Sequence, residues 1–209
     1  MYEEILFTDI RSTMSPGDLF FDIGAYDGQT SVLVGEKVGW ENVVIIEPSE
    51  VNWANIRERY RETPRASFPG FLSSDDKPAS ILDVVMHGWP EEAEHMLMPE
   101  EKLEFRWLHY RGTSDICGER PWIKLDTLVK RTGAPKGFVM DVEGAELKVL
   151  QGAAHTLISH PFVWVAIHPR FMEERFGDNA DALHELMAKA GYREKLLWSG
   201  HEEHWRFES

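Results

Sequence analysis

Short unbroken apolar runs alternate with stretches of helical period along this chain. Leu19 to Phe21 lead into Asp22 and Ile23, and Val43 to Ile46, Gly137 to Met140 and Phe162 to Ile167 repeat the pattern. Continuous rather than alternating apolar character predicts strands buried on both faces of a parallel sheet. Between them lie helix-competent segments: about Glu3 to Arg11, Gln29 to Val38, Glu50 to Arg61 behind the cap Ser49, Ala145 to Ile158, Phe171 to Phe176, and Asp178 to Ala190. In the fourth of these, Leu147, Leu150, Ala154, Leu157 and Ile158 recur at helical spacing. Asp178 is the expected cap of the last, and Gly191 its stop. Ala66 to Leu72 is a weaker strand, and its Pro69 predicts a place at the sheet edge. Tyr192 to Ser199 and Glu203 to Phe207 pair as a hairpin through Gly200. The expected fold class is α/β: a mostly parallel sheet with helices on both faces and an antiparallel C-terminal hairpin.

One region breaks the rhythm. Residues 81–125 carry a loose strand at Ile81 to His87, a helix-like Glu91 to Lys102, an alternating Leu103 to Arg111, and a strand from Trp122 running into a short helix that begins near Asp126. It reads as a β-hairpin excursion bearing Trp89, Trp107, His109, Tyr110 and Trp122. Such an excursion would serve as a substrate wall or as a self-contained hydrophobic cluster.

Composition narrows the classes. A length of 209 residues suits a single domain over 1–209, with residues 1–18 as an N-terminal cap. The net charge of −14 repels a nucleic-acid backbone, so no nucleic-acid partner is expected. The arginines at 57, 59, 61 and 65 are diluted by Glu58 and Glu62 and read as a solvated helix face. The one cysteine, Cys117, rules out an intramolecular disulfide and any multi-cysteine metal site. No apolar run reaches bilayer length and the N-terminus lacks a signal-peptide pattern, so a cytoplasmic protein without a membrane partner is expected.

The chemistry gathers at the ends of the predicted strands. Asp22-Ile23-Gly24-Ala25-Tyr26-Asp27-Gly28 is a glycine turn between a strand and a helix, where backbone N–H groups face a ligand. The carboxylates of Asp22 and Asp27 would repel a pyrophosphate and attract a cationic amino group. S-adenosylmethionine (SAM) has an ammonium, a sulfonium and an adenosine, and is favoured over a dinucleotide. Tyr26 also breaks the G-x-G-x-x-G pattern that an NAD-type oxidoreductase would want. Glu47, at the tip of the second strand and about 20 residues past the turn, is placed for a ribose diol. Asp75, in the loop after the third strand, is the first choice for the adenine amino group. Asp141, at a strand tip beside the first, could act as a general base, a metal ligand or a helix cap. His168 ends the last parallel strand and is a candidate base of near-neutral pKa. His201 and His204 have no companions at ligand spacing and suggest no metal site.

Four segments, with His168-Pro169 in agreement, resemble the FkbM-type methyltransferases, a class I SAM-dependent family with a Rossmann-like sheet. They are FDIGAYDGQTS (21–31), VVIIEPSEVNWANI (43–56), KLDTLV (124–129) and MDVEGAELKVLQGA (140–153). The resemblance implies methyl transfer from SAM to a hydroxyl oxygen of a sugar or small metabolite. It gives Asp22, Gly24, Asp27, Gly28 and Thr30, with Tyr26 in the same turn, to the methionine end of SAM. Glu47, beside Pro48, would take the ribose, and Ser74 or Asp75 the adenine. Asp141, Glu143 and His168 would face the acceptor. Family members often carry Glu two residues before the histidine, where this chain has Ala166. Activation of the acceptor could then fall to His168, to Asp141, or to a divalent ion on Asp141 and Glu143. The alternative is a non-catalytic SAM-binding or partner-binding module on the same fold.

Overall fold

The central strands are buried almost from end to end, as their unbroken apolar sequences require. They are β1 (Phe20–Ile23), β2 (Val43–Ile46), β7 (Gly137–Met140) and β8 (Phe162–Ile167). The computed structural model describes residues 2–76, 86–87 and 122–209. Its remaining strands are β3 (Ala66–Phe68), β4 (Phe71–Leu72), β5 (Met86–His87), β6 (Trp122–Ile123), β9 (Arg193–Ser199) and β10 (Glu203–Glu208). Eight of these form one sheet in the order β5-β3-β2-β1-β7-β8-β10-β9. The run β3 to β8 is parallel; β10 is antiparallel to β8, and β9 to β10. This is the expected mostly parallel, Rossmann-like sheet with an antiparallel C-terminal hairpin.

Strand alternation divides the core into two layers, because successive side chains point to opposite faces. Phe20, Val43, Ile45, Val139 and Trp164 face helices α1 (Tyr2–Thr13), α2 (Gln29–Val38) and α3 (Glu50–Arg59), meeting Ile10, Val34, Val38, Trp53 and Ile56. Phe21, Ile23, Val44, Phe138, Met140 and Val165 face the other side. There they meet α4 (Leu125–Thr132), α5 (Glu146–Gln151), α6 (Ala154–Ile158) and α8 (Ala180–Lys189), through Leu128, Leu150, Leu157 and Leu183. Ser49 caps α3 as expected, its side chain accepting from Asn52 N–H.

Several expectations are corrected. The Ala66 to Leu72 strand is two strands. β3 is buried and is not an edge, since β2 pairs on one side and β5 on the other. After Pro69 the chain leaves the sheet, and β4 pairs with β6 in a separate parallel ribbon. Within the 81–125 excursion, Met86–His87 extend the main sheet and Trp122–Ile123 join that ribbon. Trp89, Trp107, His109, Tyr110, Cys117 and the Glu91 to Lys102 stretch lie outside the described residues.

The long helix expected over Ala145 to Ile158 is broken at Gly152. The Gly152 carbonyl accepts from Asp126 N–H, and a Cβ there would lie 2.0 Å from the Ser73 carbonyl oxygen. Asp126 then caps α6, accepting from the backbone of His155 and Thr156 and from the Thr156 hydroxyl. The cap of α8 is Asn179, which accepts from Ala182 N–H. Asp178 is withdrawn into a 3.1 Å pair with Lys148. The helix expected over Phe171 to Phe176 is a short α7 (Pro169–Phe171) followed by one π-helical turn (Met172–Phe176). No helix among the described residues is long and apolar enough to cross a membrane.

Candidate functional site

Strand order reverses between β1 and β7, and a crevice at such a switch point is where open α/β sheets bind ligands. The glycine turn forms one wall. Gly24 has φ +82° and Gly28 φ +80°, both in the left-handed region. A Cβ on Gly24 would sit 1.9 Å from the Asp141 carbonyl oxygen, so this glycine lets the tips of β1 and β7 touch. A Cβ on Gly28 would lie 3.2 Å from Ile56, which makes its role close packing of the turn on α3. Tyr26 sits between them at φ +49° and is 58% exposed. Asp27 pairs with Arg59 at 2.9 Å and accepts from Gln29 N–H. Arg59 is therefore a partner of the turn, where a solvated face was expected. Thr30 is half-buried in the first turn of α2.

Two buried acids brace this wall. Asp22 is 2% exposed and accepts from the Ser31 hydroxyl, which places it beneath the turn. Burial pushes its carboxyl up to about 6, against the pull of the Ser31 hydrogen bonds. Glu47 accepts from Tyr26 N–H at 2.9 Å through one oxygen, and from Ser49 N–H at 2.8 Å and the Asn52 amide through the other. Its own carbonyl accepts from the Trp53 indole at 2.7 Å. Glu47 thus ties the glycine turn to the tip of β2, with Pro48 half-buried beside it. Burial pushes the Glu47 carboxyl up to about 7. Ser74 and Asp75 follow β4, and Asp75 accepts from the Trp122 indole at 3.2 Å.

The raised Glu47 carboxyl carries a linkage prediction. Its folded-state pKa lies above the ordinary glutamate value, so its contribution to stability is full below about pH 4.5 and lost as pH rises through about 7. Across that window the stability difference between wild type and Glu47→Gln is expected to move in favour of the variant. The slope should be roughly 1.4 kcal/mol per pH unit. Urea unfolding at a series of pH values measures this; a difference independent of pH would contradict it.

The opposite wall is built from β7, β8 and the hairpin. Asp141, Glu143 and His168 present ligand atoms within 4.8 Å of one another. Glu143 has φ +55° and Gly144 φ +107°. Phe171 and Arg175 fasten this loop: Arg175 donates to the Glu143 carbonyl at 2.8 Å, and Phe171 stacks on His168 at 5.8 Å. His168 is only 6% exposed. Its Nδ1 meets Glu146 Oε1 at 2.8 Å, and that same oxygen accepts from Gly144 N–H. Its Nε2 lies 3.0 Å from Glu202 Oε2, and 3.7 Å from both Asp141 Oδ1 and Glu143 Oε2. Glu202 also meets His204 at 2.9 Å.

Glu146 and Glu202 are site residues that sequence reasoning missed. Glu146, wholly buried, sits in the motif block, but a first-turn acid ordinarily reads as dipole complement. Glu202 left no local signal. It reaches His168 because Glu203 pairs with Ile167 across β8 and β10. His201 and His204, set aside for want of companions, flank a carboxylate that belongs to the site.

The near-neutral histidine expected at 168 is also corrected. Burial alone would lower its pKa, but Glu146 and Glu202 outweigh it and raise it to about 11. The flanking carboxylates thus favour the charged form of the ring. Burial of Oδ1 raises Asp141 to about 7, opposed by His168 and reinforced by Glu143, Glu202 and Glu146. The histidines hold Glu202 far below the usual range.

A parallel sheet with a glycine turn on one side of its switch point and an acid–histidine cluster on the other defines a Rossmann-like fold of the methyltransferase kind. The chain belongs to the methyltransferase FkbM domain family, which matches residues 22–194. Methyltransferase FkbM from Methylobacillus flagellatus KT is similar in fold at 16% identity and a TM-score of 0.59, over 93% of this chain and 44% of that one. The chain therefore spans less than half the length of that relative. A Streptococcus mutans protein assigned as a methyltransferase and solved in complex with SAH shares the fold at 7% identity, with 100% and 97% of the two chains covered and a TM-score of 0.54. Precorrin-6y C5,15-methyltransferase from Geobacter metallireducens GS-15 does so at 11% identity, over 98% and 86%, with a TM-score of 0.52. No curated protein matches the chain in sequence.

Proposed function

We propose that this chain binds SAM at the Gly24–Gly28 turn and transfers its methyl group to a hydroxyl oxygen of a sugar or small metabolite. The contact of Gly24 with the Asp141 carbonyl carries the reading, because it sets the cofactor turn directly against the acid–histidine cluster. Three of the roughly four lone-pair sites of the Glu47 carboxylate are taken, and Oε2, which accepts from Tyr26 N–H alone, keeps one for a ribose hydroxyl. Ser74 or Asp75 would take the adenine. The acceptor hydroxyl would sit by Asp141, whose side chain is 45% exposed. Its oxygen forms a bond to the methyl carbon as the carbon–sulfur bond breaks, and the sulfur keeps the electron pair as SAH. The hydroxyl proton goes to the Asp141 carboxylate, because His168 is buried with a carboxylate against each ring nitrogen. In-line placement of the two reactants supplies much of the rest. The net charge of −14 disfavours a nucleic-acid acceptor.

Thermal shift with SAM, SAH and NAD tests this. A ligand that binds only the native state raises stability by about 2.7 kcal/mol at a hundred times its Kd. SAM and SAH are expected to stabilise wild type, and NAD is not. Glu47→Ala should weaken SAH binding about tenfold or more, the scale of a lost hydrogen bond to a charged group. Stabilisation by NAD alone, or by none of the three, would overturn the assignment. SAH binding with no methyl transfer to any hydroxyl acceptor would favour the non-catalytic module.

A further inference from the structure

His168 Nε2 makes no hydrogen bond although the residue is buried, and neither does Asp141 Oδ1. The two atoms face each other at 3.7 Å, too far for a hydrogen bond, and Glu143 Oε2 lies 3.7 Å from the same nitrogen. Glu202 Oε2 is nearer, at 3.0 Å, but its approach is not aligned as a hydrogen bond. Three carboxylates thus converge on one imidazole nitrogen. The other ring nitrogen is fixed by Glu146 at 2.8 Å, the arrangement in which an outer carboxylate orients a metal-bound histidine. With Glu146, four carboxylates surround a single histidine.

We propose that Asp141, Glu143 and His168 Nε2 form a site for one divalent cation of the manganese-to-zinc row, with Glu202 supporting the histidine from the side. Mixed imidazole and carboxylate donors suit these ions, whereas magnesium and calcium prefer oxygen ligands throughout. Binding exchanges the Nε2 proton for the ion. The assignment deepens the methyl-transfer reading, on which it rests only for the ion's purpose: a positive charge beside the acceptor oxygen as its proton leaves. It also gives the C-terminal hairpin a part in the site, since Glu202 arrives from the turn between β9 and β10.

The test uses the full chain, stripped with a chelator and titrated with Mn2+, with the free-ion EPR signal as readout. One equivalent of Mn2+ is expected to disappear from the signal, and Zn2+ should displace it. Glu202→Gln should weaken Mn2+ binding at least tenfold, the scale of losing a ligand or its support. Asp141→Asn, a same-shape change at a half-exposed position, should do likewise and guards against a folding defect in the first variant. SAH thermal shift on the same samples keeps the two readings apart. SAH binding without stoichiometric Mn2+ uptake overturns the metal site and leaves the methyltransferase reading standing. Mn2+ uptake without SAH binding does the reverse. Uptake that both variants leave unchanged overturns the ligand assignment.

Discussion

Gly24→Ala is expected to cost about 3 kcal/mol or more of folding stability and to abolish SAH binding. Two penalties coincide there. An alanine at φ +82° occupies the left-handed region, which costs roughly 1–2 kcal/mol for a residue with a Cβ. The added carbon would also lie 1.9 Å from a backbone oxygen at the tip of β7. That oxygen is backbone, one residue past a strand buried on both faces, and cannot step aside as a side chain can. The tips of β1 and β7 must separate or the turn must refold. Either outcome moves Tyr26 N–H away from Glu47. Urea unfolding and SAH titration measure the two effects. Gly17→Ala is the control: it has a similar φ of +87° but nothing within 4 Å of the added carbon, so it should show the backbone penalty alone. Equal losses in the two variants would mean that the contact with Asp141 contributes nothing.

Glu146→Ala has the second large effect expected. Glu146 is wholly buried and a single oxygen serves both His168 Nδ1 and Gly144 N–H. Removing one partner of a buried ion pair costs about 3–5 kcal/mol, because the charge left behind has lost its counter-charge and its solvent. Gly144 would lose the bond that steadies a loop with two successive residues at positive φ. Glu146→Gln keeps an oxygen acceptor and should cost less. In both variants methyl transfer should fall while SAH affinity holds, since Glu146 braces the acceptor wall and makes no contact with the glycine turn among its hydrogen bonds. A loss of stability below about 1 kcal/mol in Glu146→Ala would show that the buried contact is not a pair.

The parts legible in the chain are those fixed by near neighbours. β2 and β8 announce themselves as VVII and FVWVAI because a strand covered on both faces has no polar side to show. The turn after β1 is readable because only glycine tolerates its dihedrals. Strand-tip acids such as Glu47 and Asp141 follow once those strands are placed. Single residues whose partners lie far along the chain are less legible. Asp126 stands at the start of its own short helix, yet it caps a different helix 29 residues away. Ala66 to Leu72 looked like one strand, yet Pro69 hands the chain from one sheet to another.

By itself, then, the sequence determined the parallel α/β sheet, the glycine turn, the family, and the two loops that face each other across the crevice. These depend on apolar period, backbone freedom and short motifs, all of which are local. Only the tertiary structure decided what His168 is. Its surroundings are set by Glu146, 22 residues back in the chain, and by Glu202, 34 residues on. Neither spacing is encoded by any helix or strand period. Glu202 arrives through the antiparallel register of β10 on β8, and a slip of one residue would turn it to the other face. Electrostatic environment falls off over a few ångströms of space and takes no account of distance along the chain, so it emerges only when the sheet has closed.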